Sequence, residues 1–400
     1  MMTSRVQVLF SGLYSSQFIL LGVQLPFFSG WLALNGFSAP EIGWITGIAL
    51  GARLLFGPLV AFWADGLADD RLALRVISAT FAIGAVGLWL EPGKLMIGLS
   101  AALVLWSFGV LAPLSDSAAI RADEAGLLNY GHIRAIGSFA FLLTTLIGGM
   151  LLSRFGIEWS VSIMAAAGLS TFLFAFALPR SKKIERPSSR DWREAPKLMA
   201  SVSFLLMILA AGLTQGSHAV YYTFSILHWS DLGYSESLVG ALWAVGVGAE
   251  IVLLTRARRL AAKFSPVMMI GVGGFAAAMR WFITAMEPSI AVLFVVQLLH
   301  AFTFAASYLG SIEFIRRAVP GYLVNTAMTL TSTTGVGAFV GIATIGAGYL
   351  FAAYGPAAAY YLMSAMGAGA VILSFILAKR IAIRGPILGA SQEDLGDQSE

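Results

Sequence analysis

Long apolar stretches follow one another along almost the whole chain, separated by short polar segments. A helix needs about 20 mostly apolar residues to cross the hydrocarbon core of a membrane. Twelve stretches come to about that length, and the alternating pattern of β-barrel strands is absent from the sequence. We therefore predict an all-α membrane protein with twelve transmembrane helices, at about 7–34, 41–63, 73–91, 95–114, 132–152, 159–178, 199–226, 237–255, 267–286, 290–314, 322–351 and 357–378.

A glycine pattern occurs twice, because residues 36–53 resemble residues 233–250 at an offset of 197. The first copy contains Gly36-Phe37-Ser38, Gly43 and Gly51-Ala52-Arg53, and the second contains Gly233-Tyr234-Ser235, Gly240 and Gly248-Ala249-Glu250. Opposite charges therefore stand at equivalent depths of a membrane. Duplicated halves with polar sites between them are typical of secondary transporters. We predict two six-helix bundles in a major facilitator arrangement, 1–179 and 199–384, a cytoplasmic linker at 180–198 and a disordered acidic tail at 385–400.

Composition agrees with a membrane location. The chain is 58% hydrophobic and 12% charged, with a mean hydropathy of +0.82, whereas soluble domains have about 25% charged residues. Every Lys and Arg except Arg53, Lys94, Arg154 and Arg280 falls on one side of the predicted spans. The positive-inside rule then places both termini in the cytoplasm of a bacterial-type inner membrane. The basic isoelectric point is explained by the Lys and Arg residues on the cytoplasmic side of the spans. It does not indicate a nucleic-acid partner.

Several classes of chemistry are excluded by the residues present. The chain has no cysteine, so disulfides and thiol chemistry are excluded. It contains no nucleophile elbow, phosphate loop or metal-ligand spacing. We therefore predict that the protein is not an enzyme and that it needs no metal and no cofactor.

Polar residues inside the spans recur at helical spacing and so share faces. These faces contain Tyr14, Gln17, Gln24, Phe28 and Trp31 in the first span, Gln215, His218, Tyr222 and Ser225 in the seventh, Trp243 and Glu250 in the eighth, and His300, Thr303, Ser307 and Ser311 in the tenth. Such faces line a wet cavity or join helices by hydrogen bonds. Packing is the simpler interpretation for a single Ser, Thr or Gln. Function is favoured for Arg53, Glu250 and Arg280, because burying a charge costs more.

The connection between the fourth and fifth spans places an acid and a guanidinium at neighbouring helix ends. Asp116 follows Ala112-Pro113-Leu114-Ser115, and Arg134 lies in the run from Tyr130 to Ser138. Such a pair can hold a polar solute. Alternatively, it forms an ion pair that orients the hairpin.

At these residues the chain resembles the major facilitator superfamily, in the branch of the phenylpropionate and lactose permeases. The resemblance runs almost from end to end. It includes Pro26-Phe27, the segment 113–116, the run 130–138, the segment 215–222, Ala249-Glu250, Arg280-Trp281 and the segment 297–300. It implies alternating access, with helices 1, 4, 7 and 10 lining a central site.

The resemblance also implies roles for individual residues. Asp116 and Arg134 match the substrate ligands of that branch, and Glu250, Arg280 and His300 match its proton machinery. Two positions depart from the pattern, because Thr303 replaces a Glu and Phe141 replaces the Trp that stacks on sugar. The other expected substrate contacts are Trp31, Ser138, Phe141, Gln215, His218, Tyr222 and Trp243, and Arg53 is a further intramembrane charge.

We expect a monomeric proton-coupled symporter for a small organic acid resembling phenylpropionate, with protons, the substrate and the bilayer as its partners. A sugar or nucleoside symporter is the first alternative. A lipid flippase on the same scaffold would move lipid analogues but not soluble acids. A membrane sensor signalling through the 180–198 linker would bind a ligand without flux.

Overall fold

The computed structural model describes residues 2–67, 69, 71–90, 93–179, 195–320 and 323–384. Within these ranges every regular element is a helix and no strand occurs. Residues 180–194 of the predicted linker and the predicted tail at 385–400 lie outside the described residues.

Six long helices form the first part of the chain. They are α1 (Met2–Leu34), α2 (Ala39–Gly66), α3 (Arg71–Trp89), α4 (Lys94–Glu124), α5 (Tyr130–Phe155) and α6 (Trp159–Ala177). Local sequence explains where they begin. Ser38 and Glu41 form a reciprocal capping box at the start of α2, and the Asn129 side chain accepts from the His132 amide at the start of α5. Both caps satisfy backbone donors that a helix start leaves open.

The second part of the chain is more segmented. It contains α7 (Ala195–Ala200), α8 (Val202–Gly216), α9 (Ala219–Asp231), α10 (Glu236–Leu254), α11 (Ala257–Lys263), α12 (Pro266–Ala285), α13 (Ile290–Leu298), the π-helix π1 (Ala301–Ala306), α14 (Ser307–Ala318), α15 (Val324–Leu330), the π-helix π2 (Thr331–Gly337) and α16 (Ala338–Arg384). The predicted seventh and tenth spans are therefore present, but each is interrupted near its middle.

Eleven helical stretches among the described residues are long and apolar enough to cross a membrane. The last of them, Thr326–Ile383, has 58 residues, which is far more than the roughly 20 that one crossing requires. Gly355 inside it has a φ of 82°, a left-handed conformation that ends one helix, and Pro356 begins the next. This stretch therefore supplies two crossings, and the twelve-helix prediction is confirmed.

The duplicated glycine pattern folds into the same hairpin twice. Gly36 and Gly233 both have a φ of 78°, which an L side chain adopts only with strain. In each copy the amide of the next residue returns to a carbonyl five positions earlier, Phe37 to Leu32 and Tyr234 to Trp229. These are Schellman endings. A serine then begins the following helix in each copy, Ser38 before α2 and Ser235 before α10.

The chain forms two compact units. The first contains α1 to α6 together with Tyr221–Ala244 and Thr344–Ala352. The second contains α7, α8, Val245–Ala343 and residues 353–384. The predicted boundaries at 1–179 and 199–384 stay a prediction.

Small residues let helices approach closely within the first unit. Helix α1 packs along α5 and α6, where a β-carbon at Gly22 would stand 2.9 Å from the Phe141 carbonyl oxygen. A β-carbon at Gly149 on α5 would stand 2.6 Å from the Glu236 carbonyl oxygen at the start of α10. Small residues serve this purpose in membrane helices, because packing replaces the hydrophobic driving force there.

The second unit has an apolar core around α8, α12 and α14. It includes Phe204, Ile270, Phe314 and Leu377, all buried. This core supports the helices that carry the polar cluster described below.

Candidate functional site

In the first unit Asp116 accepts hydrogen bonds from two tyrosines. Tyr14 on α1 donates to Asp116 Oδ1 at 2.5 Å, and Tyr130 on α5 donates to the same oxygen at 3.2 Å. Next to this acid, Gln17 Nε2 donates to Ser115 Oγ at 2.8 Å. Three helices therefore meet at the carboxylate. Its second oxygen, Oδ2, has no hydrogen bond to a described residue and is available to accept from a ligand.

Arg134 lies close to this acid in sequence but is not paired with it. Its guanidinium carbon lies 4.6 Å from the centre of the Phe18 ring, and the side chain is exposed. The structure contains no Asp116–Arg134 contact within 4.0 Å among the described residues. The alternative interpretation, an ion pair that orients the hairpin, is therefore not formed in this conformation. Both groups keep hydrogen-bonding capacity for a solute.

The remaining expected substrate contacts of the first unit are mostly enclosed. Trp31 is fully buried against Phe28, and Phe141 is buried on α5. Ser138 is half-buried three residues earlier.

An aromatic group within the same unit contains two further expected contacts. Trp243 stacks on Tyr221 at 4.2 Å between ring centres and lies 5.8 Å from Tyr222. Its indole donates to Ser225 Oγ at 3.4 Å. Tyr222 is half-buried, so it is the member of this group that presents ring surface to solvent.

The second unit contains a cluster built where two helices are interrupted. Helix α8 ends at Gly216, and His218 stands in the gap before α9. The residues of π1 begin directly after His300. The two imidazoles lie 5.4 Å apart between ring centres. Interrupted membrane helices are typical of transporter binding sites, because they place polar groups at mid-depth.

Arg280 on α12 is the centre of this cluster and has no exposed surface. Its guanidinium donates to Gln297 Oε1 at 2.6 Å, to His300 Nδ1 at 2.9 Å and to Thr303 Oγ1 at 3.3 Å. It also lies 4.3 Å from the centre of the Trp281 ring. A buried cation with several partners of this kind is held in one geometry.

These contacts fix the protonation of His300. A guanidinium can only donate, so Nδ1 of His300 accepts and carries no proton. The proton of the neutral ring is therefore on Nε2, which lies 3.5 Å from Glu250 Oε2 on α10. Glu250 keeps 20% of its side-chain surface exposed, whereas the His300 side chain keeps 6%. A chain of contacts thus leads from an enclosed cation to an accessible carboxylate.

His218 is joined to the same cluster through Thr303. Its Nδ1 lies 3.2 Å from the carbonyl oxygens of both Thr214 and Gln215, so it donates there. Its Nε2 then accepts from Thr303 Oγ1 at 2.9 Å. Gln215 donates to the Phe304 carbonyl inside π1 at 3.3 Å. The two expected contacts His218 and Gln215 thus both form hydrogen bonds within the cluster in this conformation.

The other intramembrane charge, Arg53 on α2, has a different environment. Its side chain is exposed and packs against Gly109 of α4. It is not part of either cluster described above.

Several residues of these clusters were identified in the sequence only as polar positions. Tyr14, Gln17 and Thr303 appeared in the helical faces, and Tyr130 and Gln297 in the resemblance, without a role. Spacing could not assign their partners, because Tyr14 and Asp116 are 102 residues apart and Arg280 and Gln297 lie on different helices.

Known proteins resemble the chain over nearly its whole length. It is 29% identical to the probable 3-phenylpropionic acid transporter of Escherichia coli (strain K12), over 84% of this chain and 89% of that protein. It is 25% identical to the maltose permease of Geobacillus stearothermophilus, over 91% of this chain and 92% of that protein.

Solved structures share the fold. The nucleoside transporter NupG matches with a TM-score of 0.75 at 16% identity, covering 94% of this chain and 98% of that one. A D-xylose-proton symporter matches with a TM-score of 0.68 at 15% identity, covering 93% of this chain and 96% of that one. The sequence profile of the MFS_1 like family matches residues 8–362. The chain therefore belongs to the MFS_1 like family of major facilitator permeases, which makes it a multi-pass membrane transporter of the secondary type.

Proposed function

We propose that this protein is a proton-coupled symporter that moves a small organic acid such as 3-phenylpropionate into the cell by alternating access. It works as a monomer in a bacterial inner membrane, with both termini in the cytoplasm. The transported proton and a monoanionic substrate together carry no net charge, so the cycle is electroneutral. The similarity to the probable 3-phenylpropionic acid transporter of E. coli supports the substrate class.

One observation carries the coupling proposal, the bond between Arg280 and Nδ1 of His300. While this bond exists, His300 cannot take a second proton, because its other nitrogen already carries one. Glu250 is then the group of the cluster that gains and loses a proton. Protonating Glu250 removes the negative charge that balances Arg280 through His300, so the charge balance of the cluster changes in each cycle.

Substrate contacts are proposed in the first unit. The Arg134 guanidinium donates to the substrate carboxylate, Asp116 Oδ2 accepts from the substrate where the acid carries the transported proton, and Tyr222 offers an aromatic surface. An amphipathic acid with one ring and one carboxylate needs these two kinds of contact.

Uptake of labelled 3-phenylpropionate into proteoliposomes under an inward proton gradient tests the proposal. For one proton per anion, a gradient of one pH unit supports about tenfold accumulation, since tenfold corresponds to about 1.4 kcal/mol. Glu250→Gln is expected to abolish accumulation while exchange of internal for external substrate continues. Glu158→Gln is the matched control, because Glu158 is an exposed carboxylate between α5 and α6. Full proton-driven accumulation by Glu250→Gln would refute the coupling role.

A sugar substrate is the second candidate, and the relationship to the maltose permease is the observation that favours it. A carboxylate such as Asp116 accepts well from sugar hydroxyls. Maltose and nucleosides, added as competitors in the same assay, separate the two candidates. Proton-driven uptake of labelled maltose without uptake of the acid would replace the organic acid with a sugar as the substrate.

A further inference from the structure

Three arginines that the sequence analysis singled out, Arg53, Arg134 and Arg280, differ in their freedom to bind an anion. Arg280 is enclosed and donates to three side chains. Arg134 lies over the Phe18 ring near the start of α5. Arg53 makes no hydrogen bond or ion pair with any residue that the structure describes. Arg134 likewise donates to no described residue, but it lies near the start of α5, whereas Arg53 lies in the middle of a span.

Arg53 cannot satisfy its charge by reaching a membrane surface. It lies halfway along α2, which runs from Ala39 to Gly66. At about 1.5 Å per residue this places it roughly 20 Å from either end of the helix. Snorkelling relieves charges only near helix ends. A cation at this depth needs water or an anion inside the protein.

Most of the lipid-facing side of α2 is opposite to Arg53. The large exposed apolar residues of this helix are Trp44, Ile48, Leu55, Phe56, Leu59, Trp63 and Phe62. At about 100° per residue, most of them, including Ile48, Leu55 and Phe62, point roughly 180–240° away from Arg53. Phe56 and Trp63 lie about 60–80° from Arg53, so Arg53 projects beside the edge of this apolar face and towards α4, where its stem meets Gly109.

Two glycines leave space around the Arg53 side chain. A β-carbon at Gly109 of α4 would stand 2.5 Å from Arg53 Cδ, so the absence of a side chain at 109 allows the arginine stem to lie against α4. One turn after Arg53 on its own face, a β-carbon at Gly57 would have no atom within 4 Å. The guanidinium is thus held by its stem and has open space beside it.

The two copies of the glycine pattern place their charged residues in different surroundings. Glu250 is the repeat counterpart of Arg53, and its carboxylate reaches His300. Arg53 has a glycine in the neighbouring helix and no polar partner in the part of the chain that the structure describes. We propose that Arg53 binds the carboxylate of the transported acid. This inference rests on the proposed function and adds the residue that recognises the charged end of its substrate. A guanidinium offers two parallel donors to a carboxylate, which makes it selective for acids over amides.

A thiol placed beside Arg53 tests the anion site without reference to any substrate. The chain has no cysteine, so Gly57→Cys introduces a unique thiol into the full-length protein. It is treated with an anionic sulfonatoethyl and a cationic trimethylammonioethyl methanethiosulfonate at low salt. We expect the ratio of anionic to cationic labelling rates to fall at least tenfold when Arg53→Gln is added. An unchanged ratio, or a thiol that neither reagent reaches, would overturn the inference.

Binding of an acid and its amide then tests recognition. Arg53→Gln is expected to weaken binding of 3-phenylpropionate at least tenfold and to change binding of 3-phenylpropanamide less than twofold. Arg53→Lys should restore part of the acid affinity, and Arg154→Gln, at the far end of α5, should change neither. Equal loss for acid and amide would show a structural role and overturn the inference. Charge-selective labelling without binding of the acid by the unmodified protein would retain the anion site and reject phenylpropionate.

Discussion

The two units surround their charged side chains in opposite ways. In the second unit the cation Arg280 is enclosed, its two terminal nitrogens donate to three side chains, and its connection to solvent passes through His300 to Glu250. In the first unit Arg53 and Arg134 are exposed, and Asp116 has one oxygen bonded to two tyrosines and one oxygen without a hydrogen bond to a described residue. A cluster whose groups are bonded to one another is suited to gaining and losing a proton. A cluster with unused hydrogen-bonding groups is suited to binding a solute. We therefore propose that coupling belongs to the second unit and recognition to the first.

Neutralising the two arginines of the clusters gives the largest expected difference. Arg280→Gln leaves Gln297, His300 and Thr303 without their buried donor, and breaking a buried charged network costs about 3–5 kcal/mol. We expect loss of transport and a clearly lowered unfolding temperature in detergent. Arg134→Gln removes only an exposed cation–π contact, worth about 0.5–1 kcal/mol, and should unfold like the unmodified protein. Equal unfolding temperatures for the two variants would contradict the comparison.

A pair of acid substitutions sharpens the division of roles. Asp116→Asn is expected to weaken substrate binding about tenfold, corresponding to about 1.4 kcal/mol, and to leave the substrate that does enter coupled to protons. Glu250→Gln should keep the binding constant within about twofold and lose accumulation. Equilibrium binding and accumulation are measured on the same preparations. If both variants lose both properties together, recognition and coupling are not divided between the units.

Removing one donor from Asp116 should have a smaller effect. Tyr14→Phe deletes the 2.5 Å bond to Oδ1 and leaves that of Tyr130. A hydrogen bond to a charged group contributes about 1.5–3 kcal/mol, part of which water replaces at this half-buried acid. We expect the transport KM to rise severalfold. Tyr361→Phe, at an exposed tyrosine of α16, is the control and should leave KM unchanged.

The smallest expected effect comes from a methyl group on α4. Gly109→Ala places a β-carbon 2.5 Å from Arg53 Cδ and forces the arginine stem to shift. Binding of the acid should weaken about two- to fivefold while stability changes little. Gly98→Ala on the same helix is the matched control, because its β-carbon would make an ordinary contact at 3.5 Å with Phe37. Equal behaviour of the two variants would mean that the position of Arg53 does not matter for recognition.

The helices and the duplication could be predicted from the sequence because both depend on local patterns. Apolar length determines the spans, and a glycine followed by an aromatic residue and a serine determines the hairpins at Gly36 and Gly233. The interruptions were harder to predict. Gly216 offers a weak signal for the break at His218, whereas π1 contains neither glycine nor proline.

Partners across helices could not be predicted from spacing. The bonds from Tyr14 to Asp116 and from Arg280 to Gln297 depend on which faces the helices turn towards each other, and that is decided by packing. The orientation of Arg53 away from most of the lipid-facing side chains could in principle be read from the exposed face of α2. It requires knowing which apolar residues of that helix meet the bilayer.

The two identical hairpins also bear on the ancestry of the chain. A half-length protein that assembled as a symmetric dimer would carry the same residue at equivalent positions in both copies. It could place two arginines or two glutamates at the position now occupied by Arg53 and Glu250, but never one of each. Joining the copies in a single polypeptide lets each mutate separately. The matching loops at Gly36 and Gly233 record the common origin, and the opposite charges that follow them record the divergence.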